Sequence, residues 1–240
     1  AGCIGKEGLF LREKLEDSGV HTQFVEQVSG SNGHAIIQVD PSGQNSILLH
    51  AGSNSQLDEA FVDRVLDHFS SEDVVLLQNE TSCVGYILEQ AARRGMRVAL
   101  NAAPANSALL SMPLERLTWL LVNEVEGAVL AGQEAPEAIV SCLTRRYPRT
   151  MLVLTLGTEG SIAALGNTQA RAGIFPVQAV DTTAAGDTFT GYFLRGMLDG
   201  AAPEACLRLA SAASALAVTR PGAADSVPAY GDVLDFLKQN

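Results

Sequence analysis

The chain has 240 residues, a formal net charge of −11, and 47% hydrophobic against 18% charged residues. That length and mixture suit one large α/β domain with ample core. The acidic balance gives no diffuse positive field for nucleic acid or an anionic membrane, and no apolar run approaches the roughly 20 residues that cross a bilayer. Neither is therefore an expected partner. No signal-peptide pattern is read at the start of the chain. Cys3, Cys83, Cys142 and Cys206 are widely scattered and show no metal-ligand spacing, so free thiols in a reducing cytoplasm are expected. Aromatic residues make up only 5%, which leaves the core to Leu, Val, Ile and Ala.

In chain order, the pattern predicts a helix over 8–19, carrying Leu9, Leu11 and Leu15 among charged neighbours. Two alternating segments follow, 34–39 and 46–49, joined by Asp40-Pro41-Ser42-Gly43. This is turn chemistry between strands and predicts a β-hairpin. From Leu57 the period changes to helix–strand alternation. Helices are expected at 57–69, 83–94, 124–131 and 136–146, and strands at 74–77, 97–100, 118–122 and 151–156. Short apolar strands between amphipathic helices predict a mostly parallel sheet covered on both faces. A second hairpin is expected around Gly166-Asn167, from 161–165 and 169–174. A strand at 173–180, a helix at 188–198, an Ala-rich helix at 203–219 and a short helix near 233–237 complete the reading.

The most informative segment joins that last strand to the next helix. Asp181-Thr182-Thr183-Ala184-Ala185-Gly186-Asp187 sets two aspartates six residues apart around small residues. Small residues at a helix start expose consecutive N–H groups, a ready site for an anion. A carboxylate beside that cradle suits proton removal from a hydroxyl that attacks phosphate. Asp181 has two readings at this level: a cap for the helix, or part of an ion site. In doubly wound sheets ligands gather at the carboxyl ends of strands. Four loops fall there: Glu80, 101–105, Asn123 to Glu126, and Thr155 to Gly160. Each has an ordinary alternative, since a strand-terminal Asn is often a helix cap and a glycine pair a tight turn. A dinucleotide-dependent dehydrogenase is disfavoured, because no G-x-G-x-x-G stands between a strand and a helix.

Taken together, these segments resemble the ribokinase-like (PfkB) family of carbohydrate and nucleoside kinases. AGCIGKEGLFL (1–11), VDPSGQNSILLHAGSN (39–54), LLQNE (76–80), LNAAPA (100–105), NEVE (123–126) and TLGTEG (155–160) resemble successive family segments. AVDTTAAGDTFTG (179–191) resembles the C-terminal signature, and AVTRPGAADSVP (217–228) the potassium-site loop. The resemblance implies a three-layer α/β/α sandwich with a small β lid, of which 33–50 is a remnant. It implies transfer of the γ-phosphate of ATP to a sugar hydroxymethyl group. D-ribose leads, with fructose, other pentoses or nucleosides as alternatives, and a nucleotide-binding protein without sugar kinase activity as a further one.

Residue by residue, the resemblance makes Asp187 the base and Ala184, Ala185 and Gly186 the anion hole. Asn123 and Glu126 would help place Mg²⁺, largely through water. Thr155, Leu156, Gly157, Thr158, Glu159 and Gly160 would form the nucleotide loop, with Ser211 along the adenine and Glu80 near the sugar. Asp181, Thr183, Ala217, Arg220, Gly222 and Ser226 would hold K⁺. Ala184 stands where many family members carry glycine. The family's opening strand, its sugar-binding aspartate and its Gly-Gly segment are not found, so one N-terminally truncated kinase domain over 1–240 is expected. A homodimer through the lid is the partner the resemblance implies, besides sugar and ATP.

Overall fold

The computed structural model describes residues 1–39 and 45–240. Contacts divide the chain into two compact units, Ala1–Val98 and Ala99–Asn240. In the first, strand β1 (Gly2–Ile4) leads through a short 3-10 turn into helix α1 (Leu9–Asp17). β1 pairs in parallel with β2 (Val25–Gln27), Gly2 opposite Val25. The sequence reading missed β2, a three-residue strand too short to show a period. Strands β3 (His34–Val39) and β4 (Asn45–His50) form the expected antiparallel hairpin, His34 opposite His50 and Val39 opposite Asn45. The expected turn at 40–43 lies outside the described residues. Helix α2 (Glu59–Leu66) starts where the Asp58 side chain accepts the Phe61 N–H at 2.7 Å, a standard way to satisfy an orphan donor. Strand β5 (Val74–Gln78) and helix α3 (Val84–Arg93) follow. Cys3, Leu57, Phe61 and Val65 form one core cluster of this unit, with Phe24 and Val28 packed against it.

The second unit carries a mixed sheet. Its strands are β6 (Arg97–Asn101), β7 (Trp119–Asn123), β8 (Met151–Thr155), β9 (Ser161–Leu165) and β10 (Thr168–Ala172), in spatial order β10-β9-β8-β7-β6. β6, β7 and β8 run parallel, while β9 and β10 are antiparallel to their neighbours. Leu152, Val153 and Leu154 are consecutive and all buried. Successive strand residues face opposite sides, so both faces of the sheet are covered. Helices α4 (Glu124–Ala131) and α5 (Pro136–Arg146) pack with β7, β8 and β9; α7 (Pro203–Ala217) packs on β9 and β10 and against α6 (Ala185–Leu198). Helix α8 (Tyr230–Gln239) closes a cluster of Leu209, Ala212, Ala213 and Val233. Gly196 lets α6 approach α7 closely: a Cβ there would meet Cys206 Sγ at 2.9 Å.

Two expectations change here. Residues 173–180 form no strand. Pro176 has no N–H to give a ladder, and the Val180 N–H instead donates to the Val218 carbonyl at 2.7 Å, at the end of α7. Helix α6 begins at Ala185, three residues before the expected start, so Asp187 belongs to its first turn rather than to a loop. No described helix is long and apolar enough to cross a membrane, and all four cysteines are free.

Candidate active site

The second unit gathers Asp181 to Asp187 at the start of α6 and ties Gly222 to them through Asp181. Ala184 is the N-cap of that helix, in the left-handed region at φ 60°, ψ 10°, a conformation that costs an L-residue roughly 1–2 kcal/mol. No side chain caps this end. Ala185, Gly186 and Asp187 follow as the first turn, whose N–H groups have no intrahelical acceptor; the Ala185 N–H reaches only the Thr182 carbonyl, at 3.3 Å. A Cβ added to Gly186 would meet nothing within 4 Å. Open space, small side chains and the positive end of a helix dipole thus coincide, as an anion site requires.

Asp187 is exposed at this turn and lines a cleft of about 390 Å³ with Thr188, Tyr192, Arg195 and Tyr230. Thr188 is buried, and its hydroxyl oxygen finds no hydrogen-bond partner among the described residues.

Asp181 does not cap α6. One carboxylate oxygen accepts the Thr183 N–H at 2.9 Å and the other accepts the Gly222 N–H at 2.9 Å, across 41 residues of chain. Hydrogen bonds from the Thr183 side chain, then from the N–H groups of Thr183 and Gly222, hold the carboxyl at about 2, below its ordinary 3.8. The carboxylate therefore clamps the loop before α6 to the loop after α7. In that second loop Gly222 takes φ 95°, the Arg220 N–H donates to the Ala217 carbonyl at 3.0 Å, and buried Ser226 donates its hydroxyl to the Ala223 carbonyl at 2.8 Å.

Asn123 and Glu126 sit at the β7–α4 junction as a complete capping box: Asn123 Oδ1 accepts the Glu126 N–H and Glu126 Oε2 accepts the Asn123 N–H, each at 2.9 Å. The ordinary reading of this pair, a helix cap, is thus met. Burial raises the Glu126 carboxyl above its usual range, against the lowering effect of the Asn123 bonds. Glu126 Oε1 has no part in the box.

Thr155 ends β8 and Leu156 to Gly160 turn back into β9, closed by the Leu156 N–H on the Gly160 carbonyl at 2.8 Å. Gly160 is demanded by the backbone, since φ is 95° and a Cβ would stand 2.2 Å from the Ala172 carbonyl oxygen. Gly157 also has positive φ, 52°, but open space around it, as a backbone open to a ligand would. Thr158 and Glu159 are exposed between the two glycines. Ser211 is buried on α7. Glu80 belongs to the first unit, exposed after β5, where it lines a cleft of about 380 Å³ together with Asn54, Gln78 and Thr81.

One residue escaped the sequence reading. The Ser214 hydroxyl of α7 donates to the Ala185 carbonyl at 2.8 Å. The signal was present: a hydroxyl one turn beyond Ser211, amid alanines that pack another helix.

A sequence profile of the pfkB family carbohydrate kinases matches residues 1–230. The chain is similar to the ribokinase of Haemophilus influenzae, 34% identical over 98% of this chain and 80% of that one. It is likewise similar to the ribokinase of Schizosaccharomyces pombe, 34% identical over 97% and 77%. Among solved structures, Arabidopsis thaliana ribokinase complexed with ribose and ATP superposes with a TM-score of 0.85 at 31% identity, over 99% of this chain and 81% of that one.

Proposed function

Because the chain belongs to the pfkB family of carbohydrate kinases, and is thus a sugar phosphotransferase, we propose that it transfers the γ-phosphate of ATP to the hydroxymethyl group of D-ribose, giving ribose 5-phosphate. The observation that carries this is the first turn of α6, where Asp187 stands beside an uncapped helix start. Relatives 31–34% identical that are named ribokinases support ribose over other sugars.

In this reading Asp187 takes the proton from the attacking hydroxyl as its oxygen bonds to phosphorus. The N–H groups of Ala184, Ala185 and Gly186 meet the charge that grows on the phosphoryl oxygens. Such preorganised donors are worth about 10²–10³ in rate each. The loop from Thr155 to Gly160 takes the nucleotide, Ser211 lies along the adenine, and Glu80 accepts sugar hydroxyls. Asn123 and Glu126 fit Mg²⁺ held through water, because Oε1 is left over from the capping box; the ion supplies charge neutralisation for the phosphates when bound. Asp181, Thr183, Ala217, Arg220, Gly222 and Ser226 fit K⁺, since one ionised carboxylate among carbonyl and hydroxyl oxygens suits a hard ion. Bound there, K⁺ reinforces the clamp between the two loops.

In this reading strands β3 and β4 are the remnant of a β lid on a single kinase domain. The β3–β4 hairpin leaves Ile36, Leu48 and Leu49 more than half exposed, at 53%, 58% and 65%, which supports a homodimer through this hairpin. The free cysteines support a reducing cytoplasm.

The test is ADP formation by the purified chain with MgATP and a panel of ribose, 2-deoxyribose and fructose. Ribose should give the highest kcat/KM. Absence of sugar-dependent ADP formation, or a preference for fructose, overturns the assignment.

A further inference from the structure

The start of α6 has to be held by something other than itself. Ala184 is in the left-handed region and no side chain caps the helix, so the first turn is intrinsically prone to fray. Two tethers reach it. One is the Asp181 clamp. The other comes sideways from α7, where Ser214 Oγ donates to the Ala185 carbonyl at 2.8 Å.

That second tether acts on a rigid unit. The carbonyl of Ala185 and the N–H of Gly186 share one peptide plane, which rotates as a whole. Fixing the carbonyl from one side therefore fixes the direction of the Gly186 N–H on the other, the cradle side. Packing alone does not ask for a hydroxyl at 214. The neighbouring positions Ala210, Ala213, Ala215 and Ala217 are buried alanines, and alanine is the better helix former. Ser214 also sits one turn after Ser211, so residues three apart share a helix face. The C-terminal end of the same helix holds the approach to the cradle, through the Val218 carbonyl that accepts the N–H groups of Val180 and Asp181 at 2.7 and 3.2 Å.

We propose that Ser214 is a positioning residue for phosphoryl transfer: its hydroxyl orients the Ala185–Gly186 peptide so that the Gly186 N–H points at the transferred phosphate. This rests on the kinase reading above. It adds α7 as the brace of the anion cradle, in addition to its place beside the adenine.

The test compares Ser214→Ala with wild type in the full chain. Loss of one tethering hydrogen bond should lower kcat about fivefold. KM for ribose and for ATP should stay within about twofold, because the aim of one N–H matters most for the charge that grows on the phosphoryl oxygens in the transition state. The melting temperature should hardly move, and the amide protons of residues 186–189 should exchange faster. An unchanged kcat overturns the inference. So does a variant with a much lower melting temperature whose KM values rise together with the loss of kcat, because that is a packing defect. A wild-type chain that binds ATP but phosphorylates none of the sugars in the panel refutes the kinase reading instead. Ser214 is then judged on exchange alone, with unaltered protection of 186–189 counting against it and faster exchange for it.

Discussion

Substituting Gly186 by alanine separates the needs of the fold from those of catalysis. The residue is the second of α6, exposed, and outside the left-handed region. An added Cβ would touch nothing within 4 Å. For the folded chain the change is therefore favourable: replacing a helical glycine by alanine contributes up to about 0.5–1 kcal/mol. In a chain of this size 1 kcal/mol moves the melting temperature by about 2–4 °C, so Gly186→Ala should melt about 1–4 °C higher. On the proposed reading the same methyl occupies space beside the N–H groups assigned to the phosphoryl oxygens. A displacement of about 1 Å from the attack geometry costs around 100-fold. The expected result is a more stable protein with kcat for ribose lowered about 100-fold or more, read by scanning fluorimetry and a coupled ADP assay on one preparation. A variant with kcat within threefold of wild type would refute the placement of the phosphate at this turn. A variant melting several degrees lower would show that Gly186 serves the fold after all.

Asp187→Asn keeps the shape of the first turn but removes the proposed proton acceptor, so kcat should fall about 10²–10⁴-fold while calorimetry still detects ATP binding. Asn123→Ala deletes a reciprocal helix cap and should cost about 1 kcal/mol, a loss of about 2–4 °C in melting temperature. Asp181 has its folded pKa depressed to about 2 from 3.8, so its clamp contributes stability that is present above about pH 4 and lost as pH falls toward 2. Wild type and Asp181→Asn should thus differ in melting temperature at pH 7 and converge near pH 2; a gap that persists at low pH would mean that the charge is irrelevant. The same variant should lose any preference of turnover for K⁺ over Na⁺.

Helices α4 and α5 were legible to the residue, because each announces its start locally. Asn123 and Glu126 spell a capping box, and Pro136 stands at the first position of α5, where a missing N–H costs nothing. The start of α6 was not legible in the same way. Its N-cap is an alanine without a capping side chain, so no residue type marks the boundary. The expected strand over 173–180 has the apolar content of one, but the Val180 N–H is claimed by Val218, a partner no local window contains. The site divides along the same line. Asp187 and its small neighbours are contiguous and could be read as an anion turn from residue types alone. The bond from Gly222 to Asp181 spans 41 residues, and only the resemblance of the loop at 217–228 to a family segment brought the two together. Ser214 had neither aid, since its role depends on which face of α7 meets α6.

The bare beginning of α6 also changes how the whole molecule should answer heat. In α2 and α4 a side chain of the chain itself, Asp58 or Asn123, completes the first turn. Here, on the kinase reading, the phosphate of the nucleotide is the missing cap, so the polypeptide is finished only when substrate arrives. A ligand that binds the native state alone, at a hundred times its Kd, adds about 2.7 kcal/mol to stability. The melting temperature of this chain should thus serve as a gauge of nucleotide supply.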